Sequence, residues 1–128
     1  MSLKTTIDDK GNGLYAVAIN GRLDTDTAPQ LEKQLEAVLA GDVRAVRFEM
    51  SGLDYLSSMG IRVLFKTFKA LKQKKAMFLM ANLQPQIKKV IEIAQALPPE
   101  SIFSSVAEAD AYFDAMQKKV LESGGDET

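Results

Sequence analysis

Hydrophobic positions along this chain come in short blocks separated by polar, turn-forming clusters, and the blocks alternate between strand-like and helix-like spacing. Lys4 to Asp8 is strand-like, and the turn-formers Asp9-Lys10-Gly11-Asn12-Gly13 that follow suit a hairpin. Leu14 to Ile19 is apolar without alternation, the pattern of a strand buried on both faces. Leu31, Leu35, Val38 and Leu39 then recur at helical spacing. Thr27 stands where an N-cap is wanted, Pro29 fits the first turn, Gln30 completes a capping box, and Gly41 closes the helix. Val43 to Met50 returns to a strand, with Val46, Phe48 and Met50 on one face.

After a loop from Ser51 to Ser57, the spacing predicts a long helix from about Ser58 to Lys75, with Ile61, Leu64, Phe65, Phe68 and Leu71 as its apolar stripe. Ala76 to Ala81 is another continuous apolar strand. Pro85 opens a third helix with Ile87, Val90, Ile91 and Ala94 inward, stopped by Pro98-Pro99. Ile102-Phe103 reads as a short edge strand. Ser105-Val106-Ala107-Glu108 is a second capping box, starting a helix with Ala109, Phe113, Met116 and Val120 on its core face. Residues 122–128 form a polar tail, expected to be disordered.

Strands separated by helices imply parallel pairing with helices packed on the sheet. The expected fold is therefore α/β: a small, mostly parallel sheet of four to five strands with about four helices, in a single domain over residues 1–121. In open α/β sheets the loops after the C-terminal strand ends lie together and bind ligands. Here those loops are Gly21 to Asp26, Ser51 to Ser58 and Asn82 to Gln84. The predicted core contains Val17, Ile19, Leu35, Phe48, Leu64, Phe65, Phe68, Leu79, Ile91 and Phe113. Truncation of Phe65 to alanine is expected to cost about 3–5 kcal/mol. Met77 and Met80 read as core filler.

Composition narrows the chemistry. The 128 residues are 46% hydrophobic and 26% charged, the balance of a globular domain, and neither cysteine nor histidine occurs. Disulfides and the usual Cys/His zinc sets are excluded, and a serine nucleophile lacks its common base. No catalytic residue, cofactor or metal site is expected. Gly11-Asn12-Gly13 is no phosphate loop, since no Lys-Ser/Thr follows at the required spacing. A net charge of -1 gives no general attraction to nucleic acid or anionic lipid. No apolar stretch is long enough to span a bilayer or to form a signal-peptide core, so a cytoplasmic location is expected.

The sharpest local feature is Asp54-Tyr55-Leu56-Ser57-Ser58-Met59-Gly60, leading directly into the long helix. Either serine can be a simple N-cap. Alternatively, a phosphate placed there would be held by the free N–H groups and the positive end of the helix dipole. Asp24 can be a turn aspartate or a member of the same site, and Glu49 reads as a solvated carboxylate at its margin. From Met59 to Lys75 the charges are Arg62, Lys66, Lys69, Lys72, Lys74 and Lys75, with no acid. They form either a solvated face or a contact for an acidic partner.

Gly21-Arg22-Leu23-Asp24 with Thr27-Ala28, followed by Ser57-Ser58-Met59-Gly60, resembles the STAS family, named for sulphate transporters and anti-sigma factor antagonists. The similarity runs from Lys4 to Val120. It implies a phosphorylation-controlled protein-binding switch: unphosphorylated, such a protein binds an anti-sigma factor that is itself a serine kinase, and so releases a sigma factor. The implied phosphoacceptor is Ser58, two places before the glycine, and the implied partner-binding residues are Asp24, Ser57, Ser58, Met59, Gly60 and Arg62. The best-known members carry aspartate immediately before the acceptor, where this chain has Ser57. The alternative implied role is a STAS accessory subunit of a membrane transport complex. Either way the chain is expected to be a monomer or weak dimer that neither contacts nucleic acid nor inserts into membranes.

Overall fold

Three consecutive residues at positive φ, Gly11, Asn12 and Gly13, turn β1 (Leu3–Asp9) back onto β2 (Leu14–Leu23) as an antiparallel hairpin. Two glycines and an asparagine meet that requirement because left-handed backbone is least strained in those residue types. In the computed structural model residues 2–122 are described, the side chains of 120–122 excepted. The expectations about Val120 and residues 123–128 lie outside the described residues.

The chain continues through α1 (Ala28–Ala40), β3 (Ala45–Glu49), β4 (Leu53–Leu56), α2 (Ser58–Gln73), β5 (Met77–Ala81), α3 (Pro85–Ala94), a 3-10 turn (Pro99–Ser101), β6 (Ile102–Phe103) and α4 (Val106–Glu122). Among the described residues the sheet has six strands in the order β1-β2-β3-β5-β6, with β4 joined to β2. Every pairing except the first hairpin is parallel. The α/β architecture expected from the sequence is the one observed, with one added strand.

That strand is β4. The lower half of β2 pairs with β3, from Leu14 opposite Ala45 to Ala18 opposite Glu49. Its upper half, past an irregularity at Gly21, pairs instead with β4, so that Leu23 lies opposite Leu56. The segment expected to be loop is thus a four-residue strand. Only Leu53 and Leu56 are buried, with Asp54 and Tyr55 exposed between them, which leaves no alternation to read.

Two cores flank the sheet. On one face Val17, Ile19, Val46, Phe48 and Met80 pack beneath α1, α2 and α3, which contribute Leu31, Leu35, Leu64, Leu71, Ile87 and Ile91. On the other, Leu14, Ala45, Leu79 and Ala81 meet α4 through Ala109 and Phe113. Arg47, also on that face, is buried and paired with Asp110 of α4. Among the described residues no helix is long and apolar enough to cross a membrane.

Three local expectations need correction. The buried face of α2 runs through Gly60, Val63, Leu64, Thr67 and Leu71, while Ile61, Phe65 and Phe68 lie half-buried on its flank. Thr67 can occupy the core because its hydroxyl donates to the Val63 carbonyl at 2.9 Å. Leu64, fully buried, and not half-buried Phe65, is therefore the residue of this pair whose truncation meets the full cost of a core deletion. Second, α3 ends at Ala94, well before Pro98, because Gln95 takes a left-handed C-cap conformation at φ 55°; Ala94 itself is exposed.

The third concerns caps. Thr27 adopts helical dihedrals and makes no side-chain cap, and Gln30 reaches the Leu3 carbonyl instead of completing a capping box. The box at the start of α4 is half formed. Ser105 Oγ accepts from the Glu108 N–H at 3.1 Å, but the Glu108 carboxylate accepts from Ser104.

Candidate functional site

The three loops expected to share an edge are joined there by hydrogen bonds. The Ser57 N–H donates to the Leu23 carbonyl at 2.9 Å, linking the residue before Ser58 to the residue before Asp24. The Gly21 N–H donates to the Gly52 carbonyl at 2.8 Å, and the Met50 N–H to the Ala81 carbonyl at 3.0 Å. The Gln84 amide reaches the Ser51 carbonyl at 2.8 Å, bringing in the loop after β5.

Glu49 is more than the solvated carboxylate expected of it. One oxygen accepts from the Ser51 hydroxyl at 2.7 Å and the other from the Asn82 amide at 2.5 Å. It clamps two of the loops together, with Asn82 held at φ 60°. Nothing in the local sequence marks this, because the partners are 33 positions apart.

The capping role left open between the two serines falls to Ser57. Ser57 is the N-cap of α2, its backbone extended and its Oγ accepting from the Gly60 N–H at 3.2 Å. Ser58 is the first helical residue, exposed to solvent, and takes no part in the bonds that hold the loop. The helix seats closely on the sheet because residue 60 has no side chain. A Cβ there would stand 2.8 Å from Leu23 Cγ, from the Leu23 carbonyl oxygen and from Leu56 Cδ1. Met59 is half-buried against the core and Arg62 is exposed one turn on.

Asp24 is committed to its own loop. One carboxylate oxygen accepts from the Asp26 N–H and the Thr27 N–H, each at 3.0 Å, while the Asp24 N–H donates to Thr27 Oγ1 at 2.9 Å. The Thr27 N–H bond holds the Asp24 carboxyl below its ordinary range against some desolvation, with help from the Thr27 hydroxyl, the Asp26 N–H and the charge of Arg22. Arg22 Nε lies 3.5 Å from the second carboxylate oxygen. The Arg22 guanidinium also stacks over the Tyr55 ring, 4.0 Å from its centroid. Tyr55, 41% exposed, is a member of this edge that the sequence pattern does not mark, since its place depends on β4.

Along α2, Lys66 pairs with Glu32, Lys74 donates to the Gly41 carbonyl at 3.1 Å, and Lys69 and Lys72 lie over the rings of Phe65 and Phe68. The lysine stems thus cover the half-buried phenylalanines on the flank of the helix. Among the described residues, no cluster of three or more metal-ligating side chains is present.

The STAS domain family model matches residues 7–109. The chain belongs to the STAS domain family. Among its relatives is BtrV of Bordetella bronchiseptica, 32% identical over 111 residues, which span 87% of this chain and 95% of that protein; its name places it with the anti-sigma factor antagonists. The anti-sigma factor antagonist SpoIIAA in its unphosphorylated form has the same fold, with a TM-score of 0.77 at 14% identity over 88% of this chain and 97% of SpoIIAA. So does part of SLC26A9, with a TM-score of 0.73 at 16% identity over 86% of this chain but only 21% of that larger protein.

Proposed function

We propose that this STAS domain is an anti-sigma factor antagonist with Ser58 as the phosphoacceptor of a partner anti-sigma factor kinase. Unphosphorylated, it binds that partner and releases a sigma factor; phosphorylated, it lets the partner go. The observation that carries this reading is the division of labour at the start of α2. Ser57 takes the capping role, which leaves the Ser58 hydroxyl exposed at the end of a helix whose dipole tolerates an added anion. Kinship with a relative named as an antagonist supports it. Asp24, Ser57, Met59, Gly60 and Arg62 complete the proposed contact surface, the first and fourth by shaping it and Arg62 by presenting charge. Among the described residues no set for phosphoryl transfer accompanies Ser58, so the kinase activity is assigned to the partner.

The test is recovery of partners from the native host, with intact-mass measurement of the bait, followed by titration of the unmodified and phosphorylated forms. Loss of partner on phosphorylation, with the fold retained, is the expected result. Equal affinity of the two forms overturns the switch. Co-purification with a transporter, indifferent to Ser58, would favour the accessory-subunit role instead.

A further inference from the structure

The β1 strand lies at one end of the sheet, so among the described residues one of its sides carries no neighbouring strand. Which backbone groups face outward follows from the bonds to β2. Arg22 N–H donates to the Ser2 carbonyl and Lys10 N–H to the Leu14 carbonyl, and the register between these points is unbroken. In an antiparallel ladder such bonded pairs alternate with unbonded ones. Lys4, Thr6 and Asp8 therefore bond inward to β2, while Leu3, Thr5, Ile7 and Asp9 aim their N–H and C=O groups outward. The Leu3 carbonyl is taken by the Gln30 amide at 3.0 Å, in agreement with this assignment. Thr5 and Ile7 are left with an open edge, and the strand contains no proline or glycine to block pairing.

We propose that this edge pairs antiparallel with β1 of a second copy of the chain, about a two-fold axis at Thr6. Backbone parity and side-chain charge select the same register. With Thr6 opposite Thr6, the outward-facing Thr5 of one copy meets the outward-facing Ile7 of the other, and each pair exchanges both of its backbone bonds. In that register Lys4 stands opposite Asp8 of the second copy, and Asp8 opposite Lys4. A slip by one residue in one copy sets inward groups against outward ones, and a slip by two separates the opposite charges.

Lys4, Thr6 and Asp8 are exposed on the sheet face away from Leu3 and Ile7, which join the core beneath α1 and α2. Neither Lys4 nor Asp8 takes part in an ion pair among the described residues. Both are thus free to form cross-strand pairs, at the closely spaced positions where side chains of facing strands approach most. An interface made of one short edge falls below the ~1,200 Å² of standard complexes, so pairing is expected at roughly 0.1–1 mM.

Charge reversal on the exposed face tests the register without disturbing the core. Sedimentation velocity from about 10 μM to about 1 mM should show reversible dimerisation of the unaltered chain. Lys4→Asp or Asp8→Lys alone should weaken it by about tenfold, since both cross-strand pairs become repulsive. An equimolar mixture of the two variants should recover the dimer, because both aspartates of the first variant then face both lysines of the second. Circular dichroism checks that each variant is folded, and in NMR hydrogen exchange the Thr5 and Ile7 amides should gain protection with concentration while Thr6 is protected at all concentrations. A chain that stays monomeric to about 1 mM, or single variants that dimerise as well as the parent, overturns the proposal. So does a dimer in which Thr5 and Ile7 exchange as fast as in the monomer.

Discussion

Two helices, α1 and α2, begin at the same edge of the sheet, joined by the bond from Ser57 N–H to the Leu23 carbonyl, yet their N-termini are finished in opposite ways. At α1 the chain closes the end on itself: Asp24 takes the Asp26 and Thr27 N–H groups, and the threonine hydroxyl and carboxylate are engaged with one another. At α2 one serine supplies one cap bond, and the next residue presents a hydroxyl to solvent. A self-satisfied terminus has little left to offer a ligand. An open one keeps its first-turn donors and its dipole available. Under the proposed function this difference gives Asp24 and Ser58 different work within one patch: the aspartate fixes the shape of the edge, and the exposed serine is where its charge would change.

The strongest way to break that assignment is to change the charge. A phosphoserine at position 58 adds about -1.5 to -2 at neutral pH. A partner packed over it must desolvate the group or accept a misfit, a loss of about 2–5 kcal/mol in binding. The phosphorylated chain should lose partner affinity by thirty-fold or more while keeping its fold, as about 2 kcal/mol already implies. Ser58→Ala should bind but resist modification, and Ser58→Asp should weaken binding in the same direction, all readable by calorimetric titration. Next in size is Gly60→Ala. Its methyl group would meet the Leu23 carbonyl oxygen and two leucine side chains at 2.8 Å. Forcing the helix off the sheet should cost about 1–3 kcal/mol by urea unfolding, despite the better helix propensity of alanine.

How much of this edge the sequence discloses depends on how local each interaction is. The hairpin at Gly11-Asn12-Gly13, the parallel alternation of strands and helices, and the three converging loops all follow from neighbours within a few positions. The short β4 does not, because Asp54 and Tyr55 interrupt its apolar pattern and its existence depends on the distant half of β2. The same holds for Glu49 and Asn82, and for the stacking of Arg22 on Tyr55. The rotation of α2 departs from its apolar stripe for a different reason. Phe65 and Phe68 carry large apolar side chains, yet lysine stems cover them on the flank, while small Gly60 and Thr67 take the tightest positions against the sheet. Volume available, and not hydrophobicity alone, decides which residue of an amphipathic helix points inward.

A smaller effect sharpens the contrast between the two termini. Ser57→Ala removes one cap bond and should cost about 1 kcal/mol. Asp24→Ala removes the acceptor for the Asp26 and Thr27 N–H groups together and should destabilise the fold by more than Ser57→Ala does. Paired urea midpoints measure both. If Ser57→Ala proves the more damaging of the two, α2 is the closed terminus and the division of roles is reversed.

The last test uses pH to isolate the charge on Asp24. The Thr27 N–H, the Thr27 hydroxyl, the Asp26 N–H and Arg22 all favour its ionised form in the folded chain, so its folded pKa lies below the unfolded one. A depressed carboxylate pKa contributes stability that is fully present above the unfolded value, near 3.9, and is lost as pH falls through the folded value. In Asp24→Asn the substituted amide keeps an acceptor oxygen but carries no charge and does not titrate. The urea midpoint of this variant should therefore lie below that of the parent at pH 7, and the gap should narrow as the solution is acidified below about pH 4. Added salt should shrink only the part of the gap owed to Arg22, because the backbone bonds are short-ranged and the guanidinium is partly exposed. A gap that stays constant from pH 7 to pH 3 would mean that geometry alone, without the negative charge, closes the first helix.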